Sequence, residues 1–191
     1  MRKIILASRS KARQKLLRQI GLKFQVVRTN VPESRKLTQS RPGLVRQNAL
    51  KKAKDAAQRF SSGVIIAADT LVFSGNKIIG KPKNTAEAFK TLQLLSSQPQ
   101  WVYTGIAVMD IDNRKTFTDY EKTRVYMYPL GRRQIRSYFK KVSPLDKAGS
   151  FDIQGLGGIF IDRIEGCFYN VVGLPLAKLA RMLKKVDVDV F

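Results

Sequence analysis

The chain has 191 residues, 43% of them hydrophobic, which suits one ordinary domain or two small lobes sharing a core. It contains no histidine and only Cys167 as a thiol, so imidazole chemistry, an internal disulfide framework and a cysteine-based metal site are all excluded. Its 36 Lys and Arg against 14 Asp and Glu give a formal charge of +22, which attracts polyanions and phosphorylated small molecules, although the scattering of the cations is that of a solvated surface.

Lys3 to Ala7 reads as a buried strand. Its apolar part, Ile4 to Ala7, is too short for a signal sequence, and no later run approaches a membrane span, so a cytoplasmic protein with no membrane partner is expected. Ser10 to Ile20 is predicted as a helix with Ala12, Leu16, Leu17 and Ile20 on its inner face and Gly21 at its end. Phe24 to Val27 is a second strand, and Gly43 to Phe60 a long basic helix stopped by Ser61-Ser62-Gly63. Val64 to Ala68 is a buried strand that Asp69-Thr70 interrupts. Leu71 to Phe73 and Lys77 to Ile79 then flank the hairpin signal Ser74-Gly75-Asn76.

Asn84 is expected to cap the next helix, with Glu87 completing a capping box and Phe89, Leu92 and Leu95 on one face. Trp101 to Ile111 and Lys115 to Tyr128 alternate as an antiparallel pair around Asp112-Asn113. A helix from Arg132 to Lys140, a glycine-rich run from Pro144 to Gly158, a strand from Ile159 to Arg163 and a helix from Leu176 to Leu183 complete the chain. The order implies an α/β domain: one mixed, partly antiparallel central sheet with flanking helices.

Four groups of residues carry chemistry. Ser8-Arg9-Ser10 lies where a strand hands over to a helix, so free backbone N–H groups and two hydroxyls suit a phosphate, and Arg13 lies one turn further on. Asp69 is a carboxylate placed at the end of a buried strand, where it needs a partner or a task. In a chain without histidine it is the candidate to hold Mg²⁺ or Mn²⁺ or to take a proton from water, with Glu33 as a second carboxylate. Lys81, stiffened by Pro82, and Lys52, in the basic helix, are further cations; unaided, each reads as solvated surface. The run from Pro144 to Gly158 sets Asp146, Lys147, Asp152 and Gln154 among four glycines, which suits a loop that meets charge and the hydrogen-bonding edge of a ring.

A family resemblance covers nearly the whole length. The motifs, in order, are Leu6-Ala7-Ser8-x-Ser10-x-x-Arg13, Ala68-Asp69-Thr70, Gly80-Lys81-Pro82, Thr104-Gly105, Pro144-Leu145-Asp146-Lys147-Ala148-Gly149, Ile153-Gln154-Gly155-Leu156-Gly157 and Val172-Gly173-Leu174-Pro175. They resemble those of the Maf proteins, nucleoside triphosphate pyrophosphatases. The resemblance implies a fold related to the inosine triphosphate pyrophosphatases, a nucleoside triphosphate substrate cleaved between its α- and β-phosphates, and a divalent metal such as Mg²⁺, Mn²⁺ or Co²⁺. It implies substrate contacts at Ser10, Arg13, Lys52 and Lys81, beside the Ser8 hydroxyl already noted, and makes Asp69 the proton acceptor for water or, with Glu33, a metal ligand. Base choice falls to Arg13, Thr70 and Gln154, and their combination is similar to the branch acting on dTTP and UTP.

Three motifs depart from the family pattern. Ser10-Lys11-Ala12-Arg13 stands for Ser-Pro-Arg-Arg, Pro32-Glu33 for Asp-Glu, and Ser96-Ser97 for Ser-Gly. Arg9 or Lys11 is the expected replacement for the lost cation, and Glu33 is left as the only carboxylate beside Pro32. Hydrolysis of 7-methyl-GTP, a non-catalytic nucleic-acid-binding or division-regulating role, and a homodimer stay open at this point.

Overall fold

A computed structural model describes residues 2–35, 40–145 and 147–190. The chain divides into two compact units, Met1–Thr70 with Thr104–Glu121 and Gly173–Phe191, and Leu71–Tyr103 with Lys122–Val172.

The first unit opens on β1 (Ile4–Leu6), which is buried throughout because parallel strands flank it on both sides: β2 (Gln25–Val26) and β3 (Val64–Ser74). Helix α1 (Lys11–Gln19) follows β1, with Ser10 as its cap: the Ser10 Oγ accepts the Arg13 N–H at 3.3 Å. Gly21, at φ +74°, turns the chain back in the left-handed region that glycine adopts without strain. Helix α2 (Arg41–Ala57) packs a row of small residues, Ala49, Ala53 and Ala56, against Ile5, Ile65, Ala67 and Ala107. Small side chains let the helix come close, and at Gly105 it comes closer still. A Cβ there would stand 2.2 Å from the Val45 carbonyl oxygen of α2.

In the second unit, β4 (Lys77–Ile79) pairs antiparallel with β3, Val72 opposite Ile79, as the hairpin signal predicts. Helix α3 (Thr85–Ser97) is capped by the Asn84 side chain, which accepts the Glu87 N–H at 2.8 Å. The Glu87 carboxylate, however, accepts from the Lys83 N–H at 2.8 Å, so the reciprocal bond of a capping box is displaced by one residue. Two long strands, β5 (Gln100–Asp110) and β6 (Lys115–Met127), run through both units. Helix α4 (Arg132–Lys141) packs Ile135 and Tyr138 with Leu92, Leu95, Phe151 and Phe160. Strand β7 (Ile161–Glu165) pairs antiparallel with β6, and helix α5 (Phe168–Val172) leads to α6 (Leu176–Lys184) in the first unit. The strand order is β2-β1-β3-β5-β6-β7, with β4 beside β3, a mixed sheet flanked by helices as the sequence implies. No helix among the described residues is long and apolar enough to cross a membrane.

Two predicted boundaries are corrected and one element is added. Asp69 and Thr70 do not end the buried strand; β3 runs through them for 11 residues, because both side chains find polar partners inside the fold. Ile159 and Phe160 belong to a 3₁₀ turn, Leu156–Phe160, so β7 starts later than the apolar run suggests. The five-residue α5 has no counterpart in the predicted elements, being too short to show a helical period.

Candidate active site

The two side chains that converge on Asp69, Lys52 and Asn48, belong to the first unit with it. Asp69 is 2% exposed on β3, and its Oδ1 accepts from Lys52 Nζ of α2 at 2.7 Å. The same ammonium lies 2.7 Å from Glu33 Oε1, so Glu33 and Asp69 share one cation. Lys52 Nζ also reaches the Ala68 carbonyl at 3.4 Å. Lys52, read from the sequence as a solvated lysine unless the resemblance held, is 7% exposed. A buried carboxylate and a buried ammonium are each costly alone, and here each offsets the other's lost hydration.

Asn48, one turn before Lys52, completes the cluster. It is 1% exposed, and its Nδ2 donates to Asp69 Oδ2 at 2.9 Å. Sequence reasoning missed it. The signal was present: Val45, Asn48, Lys52 and Ala56 recur at helical spacing on the buried stripe of α2, so an amide and an ammonium there must have buried partners.

Successive residues of a strand point to opposite faces, so Thr70 addresses other partners than Asp69 does. Thr70 Oγ1 accepts from Arg13 Nη2 at 2.9 Å and lies 2.9 Å from Thr104 Oγ1. The Arg13 Nε donates to the Gly173 carbonyl at 2.8 Å and Nη1 to Ser8 Oγ at 3.2 Å. The fork expected to reach a phosphate is thus largely spent on tying the exit of β1, the middle of β3 and the turn before α6 together. Burial pushes the Arg13 guanidinium below its ordinary value, against the pull of the Asp69 and Glu33 carboxylates. Ser8, 7% exposed, accepts from both the Ser10 N–H, at 3.2 Å, and Arg13, which leaves its O–H to act as a donor.

A cavity of about 410 Å³ opens beside this cluster, lined by Arg9, Thr29, Asn30, Val31, Glu33, Arg35 and Lys52. Of the two cations named as replacements for a lost arginine, both exposed, Arg9 lines this cavity with Glu33 and Lys52, whereas Lys11, at the start of α1, is not among its lining residues.

Lys81 and Gln154 belong to the second unit and both are exposed. Gln154 donates its backbone N–H to Asp152 Oδ1 at 3.0 Å. Gly149, at φ +78°, makes the sharp bend of this run, and Gly157 lets the run fold on itself: a Cβ there would stand 2.8 Å from the Asp152 backbone. Asp146, the other acid considered in this loop, lies outside the described residues.

Two of the residues present supply donors of the kind a hard divalent cation takes, around a point that the Lys52 ammonium occupies. Glu33 Oε1 and Asp69 Oδ1 converge on a single positive centre, and carboxylate oxygens are what Mg²⁺ or Mn²⁺ prefers. No group of three or more His, Cys, Asp or Glu converges among the described residues, so phosphate oxygens and water would have to complete the shell.

Comparison with known proteins shows the family and the fold. A dTTP/UTP pyrophosphatase of Methanosarcina barkeri is 44% identical over 192 residues, covering 100% of this chain and 98% of that one. A protein of the same name from Bacillus cereus strain ZK / E33L is 44% identical over 190 residues, with 100% and 98% covered. The solved structure of a HAM1 protein from Coxiella burnetii shares the fold at a TM-score of 0.55 and 17% identity, covering 97% of this chain and 100% of that one. Residues 3–186 match the family described as Maf-like protein, and the chain belongs to that family.

Proposed function

We propose that the protein is a nucleoside triphosphate pyrophosphatase that hydrolyses dTTP and UTP to the monophosphate and pyrophosphate. The observation that carries this reading is the buried Asp69 carboxylate, held by Lys52 and Asn48 and paired through Lys52 with Glu33 at the edge of a cavity. The names of the full-length relatives support the choice of substrate.

In this reading Asp69 orients the attacking water and accepts its proton. Lys52, the hydroxyls of Ser8 and Ser10 and the exposed Lys81 draw in the triphosphate and stabilise charge that builds on its oxygens in the transition state. Glu33 and Asp69 would hold a divalent cation, which when bound supplies charge neutralisation for the phosphates. Arg13 and Thr70 shape the site by fixing each other. Gln154 reads the base: a neutral amide both donates to and accepts from a pyrimidine edge.

The test is product analysis with purified protein, Mg²⁺, Mn²⁺ or Co²⁺, and separate dTTP, UTP, CTP, ATP and 7-methyl-GTP. Monophosphate plus pyrophosphate from dTTP and UTP supports the reading; diphosphate plus phosphate, or no turnover, overturns it, and preference for 7-methyl-GTP replaces the substrate. Asp69→Asn should lower kcat by about 10²–10⁴-fold, the range for a lost general base, with the chain still folded by circular dichroism.

A further inference from the structure

We propose that Asn48 is a positioning residue for the reaction, fixing both which oxygen of Asp69 works and where Glu33 stands; the proposal rests on the function given above. Every hydrogen-bonding position that its amide uses is committed to one of two neighbours. Nδ2 donates to Asp69 Oδ2 at 2.9 Å and to the Ser34 carbonyl at 3.0 Å, while Oδ1 accepts the Ser34 N–H at 3.0 Å. The reverse orientation of the amide would set its oxygen against two acceptors, so the assignment is fixed by chemistry.

The contact with Ser34 takes the backbone N–H and C=O together, as a neighbouring strand would, and thereby anchors the residue that follows Glu33. The contact with Asp69 occupies Oδ2 and holds the carboxylate against rotation. Oδ1 is left facing Lys52, the cation shared with Glu33. One neutral side chain on α2 thus sets the spacing of the two carboxylates without adding charge to the site. Aspartate at this position would oppose Asp69 with a second negative charge and lose both donors. Glutamine would carry an extra methylene into a slot where Asn48 is 1% exposed.

The experiment compares dTTP turnover with Mg²⁺ in the unaltered chain, Asn48→Ala, Glu33→Ala and the double variant, with melting curves for each. Asn48→Ala should lower kcat by about 10–100-fold, the scale of a misplaced reacting group, and change KM by less than about threefold. If Asn48 acts through Glu33 as well as Asp69, the same substitution should cost at least about fivefold less in the Glu33→Ala background. An equal loss in both backgrounds, a loss expressed mainly in KM, or no loss overturns the proposal. Should Asn48→Ala not fold, Asn48→Ser, which stays polar but cannot span both partners, carries the same comparison. Failure of both to fold marks a purely structural role and also overturns it. An inactive unaltered chain overturns the function itself and this role with it, whereas an active chain with an equally active Asn48→Ala overturns only the role of Asn48.

Discussion

Lys52 carries two carboxylates on one nitrogen, and removing that nitrogen leaves both without the cation they share. Lys52→Met should therefore destabilise the protein by about 3 kcal/mol, the low end of what breaking a buried pair costs, because Glu33 reaches water and Asn48 still serves Asp69. Added Mg²⁺ should recover part of that loss, since a cation that binds the folded state stabilises it by mass action. The check is a pair of melting curves: Mg²⁺ should raise the midpoint of Lys52→Met more than that of the unaltered chain, and an equal rise in both would remove Glu33 and Asp69 as the cation's ligands. At this scale much was legible. Asp69 stood out because a carboxylate after five apolar residues needs a partner, and the family motifs pointed to Lys52. Asn48 stayed hidden because an amide in a basic helix looks like surface until the buried stripe of α2 is traced through it.

The helix that carries Asn48 and Lys52 owes its place to the absence of a side chain on β5. At Gly105 a Cβ would lie 2.2 Å from the Val45 carbonyl oxygen and 2.6 Å from the Arg46 nitrogen, both backbone atoms of α2 that cannot rotate aside. Gly105→Ala must push α2 away from the sheet, at a cost of about 1–3 kcal/mol for overpacking. The same shift carries Lys52 and Asn48 away from Asp69. Stability and turnover should then fall together, with kcat lowered more than KM is raised, as measured by melting and steady-state kinetics on dTTP. A variant that melts lower but keeps full kcat would show that the site does not depend on this approach. Element types were largely legible from periodicity, and element ends were not. β3 looked broken at Asp69-Thr70 because polar residues usually mark a strand's end, and only their partners, Lys52 and Arg13, explain why the strand continues. The 3₁₀ turn over Leu156–Phe160 escaped for the opposite reason, since Ile159 and Phe160 are as apolar as strand residues.

At the scale of the molecule, a formal charge of +22 means that the folded chain works against its own repulsion, and acid adds to that charge as carboxylates are protonated. Two lobes were one of the two organisations the sequence allowed, but where they divide was not legible, because β3, β5 and β6 each contribute to both units without a break in composition that would mark a boundary. Within the first unit, one cluster joins the two ends of the chain. Arg2 pairs with Asp110 and donates to the Val186 carbonyl at 2.5 Å and to Asp112 at 2.8 Å, while Asn113 donates to Asp110 Oδ2 at 2.8 Å. The Arg2 guanidinium, with Asn113, holds the fully buried Asp110 carboxyl well below the ordinary carboxylate range of about 3.9. A depressed carboxyl stabilises the fold fully above its unfolded value, and that contribution is lost as the pH falls below it toward the folded value. Acid should therefore unfold the chain progressively below about pH 4, and Asp110→Asn, which removes the charge but not the shape, should flatten that limb while lowering stability at neutral pH. Salt separates this effect from repulsion. Raising ionic strength from about 0.01 M to 0.15 M shortens the screening length from roughly 30 Å to 8 Å, which relieves repulsion among exposed cations but touches much less a contact pair whose carboxylate is buried. Melting curves from pH 2.5 to 7 at both salt concentrations should show the midpoint of both proteins rising with salt, and their difference at neutral pH, set by Asp110, staying the same. A difference that vanishes at the higher salt would mean that the pair acts as surface charge, and that the ends of the chain are held by something other than Arg2 and Asp110.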